Sequence, residues 1–455
     1  MKLSAPKNPN YAATVVKLGS VYPLDGLDNL RGTMIYGNQV LVGKDAQEGD
    51  VGLFFGVETA LSDEFLGHNN LYRKPEWGNA DKNARGFFDQ HGRVRCIKFK
   101  GNRSEGFFIP LSSLTYLDTS YDSYLSLSVG GTFDELDGHP ICHKYVPKRN
   151  PGKSCPAKER QAKLIDQILP NQFRFHPDTE NLRRNIHKID PNDVISISDK
   201  WHGTSVVISK VLVQRTLPWY ERLIQKVGIR IQTSEYGLVY SSRKVVKAVN
   251  GVEKTNQHYY GEDIWGVVAK EIEARIPLGY TLYGEIVGYT PQGSPIQGGY
   301  HYGCPMGGHR FLVYRVTCTN AEGLPLELSW PQLFDFCEKY GFEMVKELYY
   351  GKANRVLAIG GLPEYPQGQA FGSFQDEFLR KLEELYVHDQ MCEENNFEVP
   401  AEGVVVRIDG LNSCQAFKLK NFLFLENESK LLDKGELDME TQESEDDVHT
   451  PLPCL

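Results

Sequence analysis

Short runs of alternating apolar and polar residues, with no repeated strand-helix unit, set the tightest limit on what this chain can become. Val194-Ile195-Ser196-Ile197-Ser198 is one such run and has the two-residue period of a strand. The residues that follow, Asp199-Lys200-Trp201-His202-Gly203-Thr204-Ser205, form a turn of small and polar groups. Lys200 therefore leaves the strand end where its amine can face a cleft. Free lysine titrates near ~10.4, so few such amines carry a lone pair at neutral pH. A nucleophilic role needs neighbours that disfavour the ammonium, such as other cations or a metal-bound polyphosphate. Gly203 has no side chain and is expected to let the backbone approach a bound phosphate. Taken alone, Lys-x-x-Gly occurs by chance in most chains, and a strand-end lysine beside a turn glycine is the plainer account.

The remaining chain narrows the choice. Residues 11 to about 118 read as short strands between turn signals: Tyr11 to Lys17, Gln39 to Gly43, Asp50 to Phe55 and Arg93 to Phe99. Strands at this spacing predict a small β-barrel. Arg93, Arg95, Lys98 and Lys100 on one barrel face, with Arg73, Lys74, Trp77 and Arg85 in a connecting loop, suit a phosphate backbone. Lys144, Lys148, Arg149 and Lys153, interleaved with Pro147, Pro151 and Gly152, read as an interdomain linker. Phe173, His176, Asp178, Thr179, Asn181, Arg183 and Arg184 form a polar approach at the rim of the Lys200 site. Beyond Lys200, strands mix with helices expected over Asp263 to Arg275, Trp330 to Tyr340 and Phe374 to Tyr386. This order predicts an α+β fold. No G-x-G-x-x-G or Walker sequence is present, so neither dinucleotide nor P-loop chemistry is indicated.

Charge and cysteine content bound the setting. The net charge is -9 over 455 residues, and ten acidic residues against two lysines from Glu426 onward supply -8 of it, leaving -1 for the rest. The end of that tail, Glu436 to Leu455, is polar and acidic, and is expected to be disordered. Nine cysteines lie without C-x-x-C pairs, which argues against a disulfide framework or a structural zinc site. No leading apolar segment and no bilayer-length apolar run occurs, so a soluble cytoplasmic protein without a membrane partner is expected, with a phage or virus left open as its source.

Four further stretches put a functional group at a strand edge. They are Ser241-Ser242-Arg243; Tyr283-Gly284-Glu285-Ile286-Val287-Gly288; Phe311-Leu312-Val313-Tyr314; and Glu402-Gly403-Val404-Val405 followed by Lys418-Leu419-Lys420. Together and in this order they resemble the covalent nucleotidyltransferase superfamily of polynucleotide ligases and mRNA capping enzymes. Lys200 to Gly203 matches its motif I, Glu285 motif III, Phe311 to Tyr314 motif IIIa, Glu402 to Val405 motif IV and Lys418 to Lys420 motif V. Lys-Trp-His-Gly-Thr-Ser and Tyr-Gly-Glu-Ile-Val-Gly are similar to the RNA-ligase forms. The N-terminal region resembles the OB domain of Deinococcus-type RNA ligases. Departures are His202 where DNA ligases have aspartate, Ser205 where some RNA ligases have asparagine, and Tyr314-Arg315 in place of Phe-Asp.

The resemblance implies an OB-like barrel over residues 1–145, a nucleotidyltransferase domain (ATP-grasp-like, antiparallel sheets with flanking helices) over 146–425, and an acidic tail over 426–455. It implies an ATP-dependent RNA ligase that acts through lysyl-AMP and adenylylated RNA, at nicks in a duplex or RNA-containing hybrid, as a monomer. Lys200 is then the nucleophile, while Lys418 and Lys420 meet the α-phosphate and Arg243 another phosphate. Gly203 belongs to the nucleotide site, Glu285 engages the sugar, Tyr314 stacks the adenine, and Glu402 holds Mg²⁺ or Mn²⁺. Two alternatives stand beside this reading: a DNA ligase or GTP-using capping enzyme, and a non-catalytic OB-type nucleic-acid binder.

Overall fold

In the computed structural model, residues 5–117, 127–146, 164–253, 260–360, 373–410 and 412–433 are described. The linker cations Lys148, Arg149 and Lys153 and the tail Glu436 to Leu455 lie outside them. The chain divides into two compact units, one running up to Val146 and resumed at Phe422, the other ending at Asn421.

The larger unit is α+β and built on two sheets. The strand Thr204–Gln214 is buried along most of its length, as a Val/Ile-rich central strand must be. It pairs antiparallel with Ser234–Ser241 on one side and Tyr280–Gly288 on the other. Val246–Val249 and Val252–Glu253 extend the sheet at one edge, and His309–Thr319 and Pro325–Glu327 at the other. Glu343–Met344 joins His309–Thr319 in parallel. The second sheet runs Glu180–Asn181, Gln415–Lys420, Gly403–Ile408, Val194–Lys200 and Glu347–Lys352. Its neighbours are antiparallel except for the first pair.

Ile195, Ile197, Val404, Val406, Phe417 and Leu419 alternate inward to make one core with Phe378 and Leu382. That alternation leaves Ser198, Lys200, Val405, Arg407, Lys418 and Lys420 on the opposite face. The helices follow the sequence closely. Trp330–Tyr340 starts with a capping box from Ser329 and Gln332 and stops at Gly341 in the left-handed region, φ 69°. Ile264–Ile272 is capped by Asp263, whose carboxylate accepts from Gly266 N at 3.1 Å.

The smaller unit departs from expectation. Its strands do not close into a barrel among the described residues. Thr132–Phe133, Ala13–Lys17, Val51–Phe55 and Phe107–Pro110 form one four-stranded sheet, Val21–Pro23, Leu30–Ile35 and Asn38–Gly43 a three-stranded one, and the rest are two-stranded ribbons. Helix Phe422–Asp433, which spans the boundary expected at residue 425, belongs to this unit and buries Phe422, Phe424 and Leu432.

The helix also removes Arg93 from the expected basic face. Arg93 is buried, with its guanidinium 2.6 Å from Asp433 and donating to the Ser429 carbonyl at 2.9 Å. Arg95 reaches the same carboxylate at 3.0 Å. Both arginines hold the helix. Lys98, Arg73, Lys74 and Arg85 stay exposed. Among the described residues no helix is long and apolar enough to cross a membrane, and seven cysteines are free thiols.

Candidate active site

Cross-strand register assembles one wall. Lys200 lies opposite Gly403, which lies opposite Lys420, while Ser198, Val405 and Lys418 form the next row. Glu402, one residue before its strand, has a side chain only 2% exposed and turns into the first row. Its Oε1 lies 2.7 Å from Lys200 Nζ and 3.3 Å from Lys420 Nζ. One buried carboxylate thus gathers two of the three lysines singled out in the sequence.

Gly403 makes the row possible. With φ 139°, any Cβ there would fall 2.1 Å from the Leu419 carbonyl and 2.9 Å from Lys420 Cα. A side chain would push the Lys420 strand away.

The other sheet supplies the facing wall. Ser205 and Glu285 are direct partners in register, and Glu285 Oε1 accepts from Gly203 N at 3.2 Å. The need for glycine at 203 comes from this strand: an added Cβ would stand 2.3 Å from the Ile286 carbonyl and 2.9 Å from Glu285 Cγ. Gly203 thus has a packing reason of its own, beside the phosphate approach expected from sequence.

The register shifts between Tyr283 and Gly284, with Tyr283 facing Arg315 and Gly284 facing Val313. Tyr314 is the extra residue of a β-bulge, a device that re-aims side chains. Tyr314 and Arg315 accordingly both line the cleft, and Phe311 packs against Gly284 instead.

The cleft is open to solvent and is also lined by His176, Thr179, Trp201, Ser205, Arg243 and Trp330. Arg243 is engaged by Asp178 through two hydrogen bonds, 3.2 and 2.7 Å, so it does not present a bare fork to the cleft. Burial pushes the Asp178 carboxyl upward, but Arg243, Lys244 and Lys418 outweigh it and hold the group below its ordinary value.

Arg315 is committed to Glu327 by three hydrogen bonds of 2.8 to 3.0 Å and stacks over Tyr283 at 4.3 Å. A buried ion pair of this kind persists when its remaining groups are also satisfied. Arg315 Nη1 meets His176 Nδ1 at 3.3 Å. A guanidinium only donates, so Nδ1 accepts and the ring proton sits on Nε2. Burial first, then Arg315 and Arg243, push the His176 pKa well below its ordinary value, which keeps the ring neutral. It lies 5.0 Å from Tyr314, centroid to centroid.

Some of the supporting shell was not foreseen from sequence. Tyr302, at φ 48°, accepts at its hydroxyl from His202 N, 2.8 Å, and packs on Trp201 at 4.6 Å. Gln297 donates to the Gly203 carbonyl and Trp265 to the Ser205 carbonyl. The Tyr-x-Tyr pair inside Gly298-Gly299-Tyr300-His301-Tyr302-Gly303 was the available signal. Asp199, on the Lys200 strand, has its carboxyl raised to about 6, chiefly by burial and then by Glu394 and Glu393 against the pull of Lys346.

Comparisons with known proteins come to the same region. A family model described as RNA ligase matches residues 193–420. No curated protein matches the sequence. Among solved structures, this chain is similar to the RNA ligase of Naegleria gruberi. A lysine-to-methionine mutant with AMP and Mn is 16% identical with a TM-score of 0.54, covering 91% of this chain and 98% of that one. A lysine-to-alanine mutant with ATP and Mn gives the same figures. The enzyme with PPi is 16% identical at a TM-score of 0.54, covering 92% and 98%. At this identity the likeness is one of fold.

Proposed function

This chain belongs to the RNA ligase family, whose model spans half its length, and from that premise we propose an ATP-dependent ligase joining 3′-hydroxyl and 5′-phosphate RNA ends at nicks. The observation that carries the reading is the row Lys200, Glu402, Lys420, set across a cleft from Glu285 and Tyr314. In the first step Lys200 Nζ forms a bond to the α-phosphorus of ATP, the bond to the pyrophosphate oxygen breaks, and lysyl-AMP results. AMP then passes to the 5′-phosphate, and the 3′-hydroxyl displaces it.

Each role follows from chemistry and position. An ammonium has no lone pair, so a proton must leave Nζ before attack, and Glu402 Oε1 at 2.7 Å is the acceptor in reach. Lys418 and Lys420 are fixed cations on the α-phosphate side, where charge builds in the transition state. Glu285 engages the ribose. Tyr314 offers its ring to the adenine. His176 holds a neutral N–H beside it. Arg243, paired with Asp178, meets a phosphate by sharing or exchanging that partner.

The residues also fit a divalent cation delivered with the nucleotide. No group of three or more His, Cys, Asp or Glu side chains forms a protein cage among the described residues. A single carboxylate, Glu402, completed by phosphate oxygens and water, matches how Mg²⁺ is held. Mg²⁺ or Mn²⁺ there would neutralise phosphate charge.

The N-terminal unit is, in this reading, an OB-like module that holds the RNA backbone through Lys74, Arg85 and Lys98. The neighbours solved with ATP, AMP and Mn support the choice of nucleotide and metal. The test is incubation with α-labelled ATP, Mg²⁺ or Mn²⁺ and a nicked RNA duplex. Label should enter the protein, pass to the 5′ end and be released on sealing. Label from GTP alone, or sealing of DNA nicks alone, would favour the alternative enzymes.

A further inference from the structure

Helix Trp219–Lys226 sits in the connection between strands Thr204–Gln214 and Ser234–Ser241. Their ladder runs from Val207 opposite Ser241 to Gln214 opposite Ser234, and at ~3.4 Å per residue it carries the helix on the order of 25 Å from the cleft end. The helix is encoded by its own residues. Pro218 precedes it, Arg215 pairs with Glu221 at 2.9 Å, and Gly228 ends it at φ 89°, with Ile229 N donating back to the Ile224 carbonyl at 3.4 Å.

None of its residues is buried. Trp219, Tyr220, Leu223, Ile224 and Val227 share one arc of about 140° at 100° per residue, and Ile229, past the turn, is exposed as well. Trp219 is 74% and Val227 75% exposed. So short a helix is marginal in water, and helices in proteins owe most of their stability to a packed apolar face. This face is open to solvent, and contiguous apolar surface of this kind marks a binding face.

Charge indicates the occupant. Between Arg215 and Thr233 the basic residues are Arg215, Arg222, Lys226 and Arg230, and the sole acid is Glu221, already held by Arg215. On the helical wheel Arg222 and Lys226 border the apolar arc on the Trp219 side. Four of the six apolar side chains are aliphatic and offer no ring for a base to stack on, which argues against RNA. A protein groove would take the arc but gives no reason for cations along its border. Tryptophan beside lysine and arginine, above aliphatic residues, is the pattern of a helix lying in a headgroup layer.

We propose that Trp219–Lys226 docks the protein on an anionic lipid surface, with the apolar arc inserted and Arg222, Lys226 and Arg230 against the headgroups. The helix lies on the bilayer and does not cross it, so the absence of a membrane-spanning helix among the described residues does not bear on it.

The test is sedimentation of the full-length chain with phosphatidylcholine vesicles, with and without phosphatidylserine. Binding is expected only to the phosphatidylserine vesicles and should fall as salt rises. Leu223→Glu combined with Ile224→Glu should abolish it. Arg222→Gln combined with Lys226→Gln should weaken it about 25-fold, since each cation near such a surface is worth about 1 kcal/mol, or about fivefold. Self-labelling by ATP should be unchanged in every variant, which shows that the fold is intact. The proposal is overturned if the wild type ignores phosphatidylserine vesicles or if the Leu223/Ile224 variant still binds them. It is also overturned if those substitutions abolish dimer formation or RNA binding in a wild type that binds no lipid, because the face then belongs to another occupant.

Discussion

The two walls of the cleft are built on different principles. The wall proposed to face phosphate takes Lys200, Lys418 and Lys420 from adjacent strands in simple register, with Glu402 at a strand start. Alternation alone puts those side chains on one face. The wall proposed to face the base depends on a bulge that re-aims Tyr314, on His176 brought in from 138 positions upstream of it, and on an Arg315–Glu327 pair that fixes the histidine tautomer. Charge at strand ends is a local matter, whereas a base platform needs tertiary support. The first wall should therefore govern chemistry and the second affinity.

The largest effects should come from the phosphate wall. Lys418→Ala or Lys420→Ala is expected to lower the rate of lysyl-AMP formation by roughly 10²–10³-fold, as loss of a transition-state donor does elsewhere. The KM for ATP should change less. Next comes Tyr314→Ala, which should raise KM for ATP about tenfold with kcat nearly kept, while Tyr314→Phe costs little. If Tyr314→Ala lowers kcat as far as Lys420→Ala does, the division between the walls fails.

His176→Phe should raise KM for ATP by about fivefold, the loss of one hydrogen bond. Because burial, Arg315 and Arg243 push the His176 pKa well below its ordinary value, the ring is neutral at pH 7 and above, so this penalty should stay constant from pH 7 to pH 8. A penalty that changes across that range would mean the imidazolium takes part.

The motifs made the phosphate wall legible. Lys200, Glu402, Lys418 and Lys420 are single residues whose neighbours in sequence already fix their strand and face. Helix Trp330–Tyr340 was equally plain, because Ser329 and Gly341 mark both ends locally. The same local logic failed at Arg93, which alternation put on a basic surface. A helix more than 300 residues later covers it, and no pattern near Arg93 records that contact. The Ile286 carbonyl close to Gly203 and the Asp178 carboxylate on Arg243 are likewise not legible locally. Each of these contacts concerns a partner distant in sequence.

The smallest expected effect is on stability. The Asp199 carboxyl is raised from 3.8 to about 6, so the native state binds the proton more tightly than the unfolded chain. Stability supplied by the protonated acid is whole below pH 3.8 and is lost as pH rises through 6. Asp199→Asn should then match the wild type at the acid end and exceed it by on the order of 1 kcal/mol at neutral pH. Equal denaturant midpoints at pH 7 would show that this carboxylate is better solvated than its surroundings imply.

The division between the walls rests on Lys200 as the nucleophile, and peptide mapping by mass spectrometry after incubation with ATP and Mn²⁺ addresses that directly. The account predicts one added AMP, on the peptide carrying Lys200, released by mild acid as a phosphorus–nitrogen bond requires, and absent in Lys200→Ala. AMP attached to a different side chain, or retained in Lys200→Ala, would contradict it.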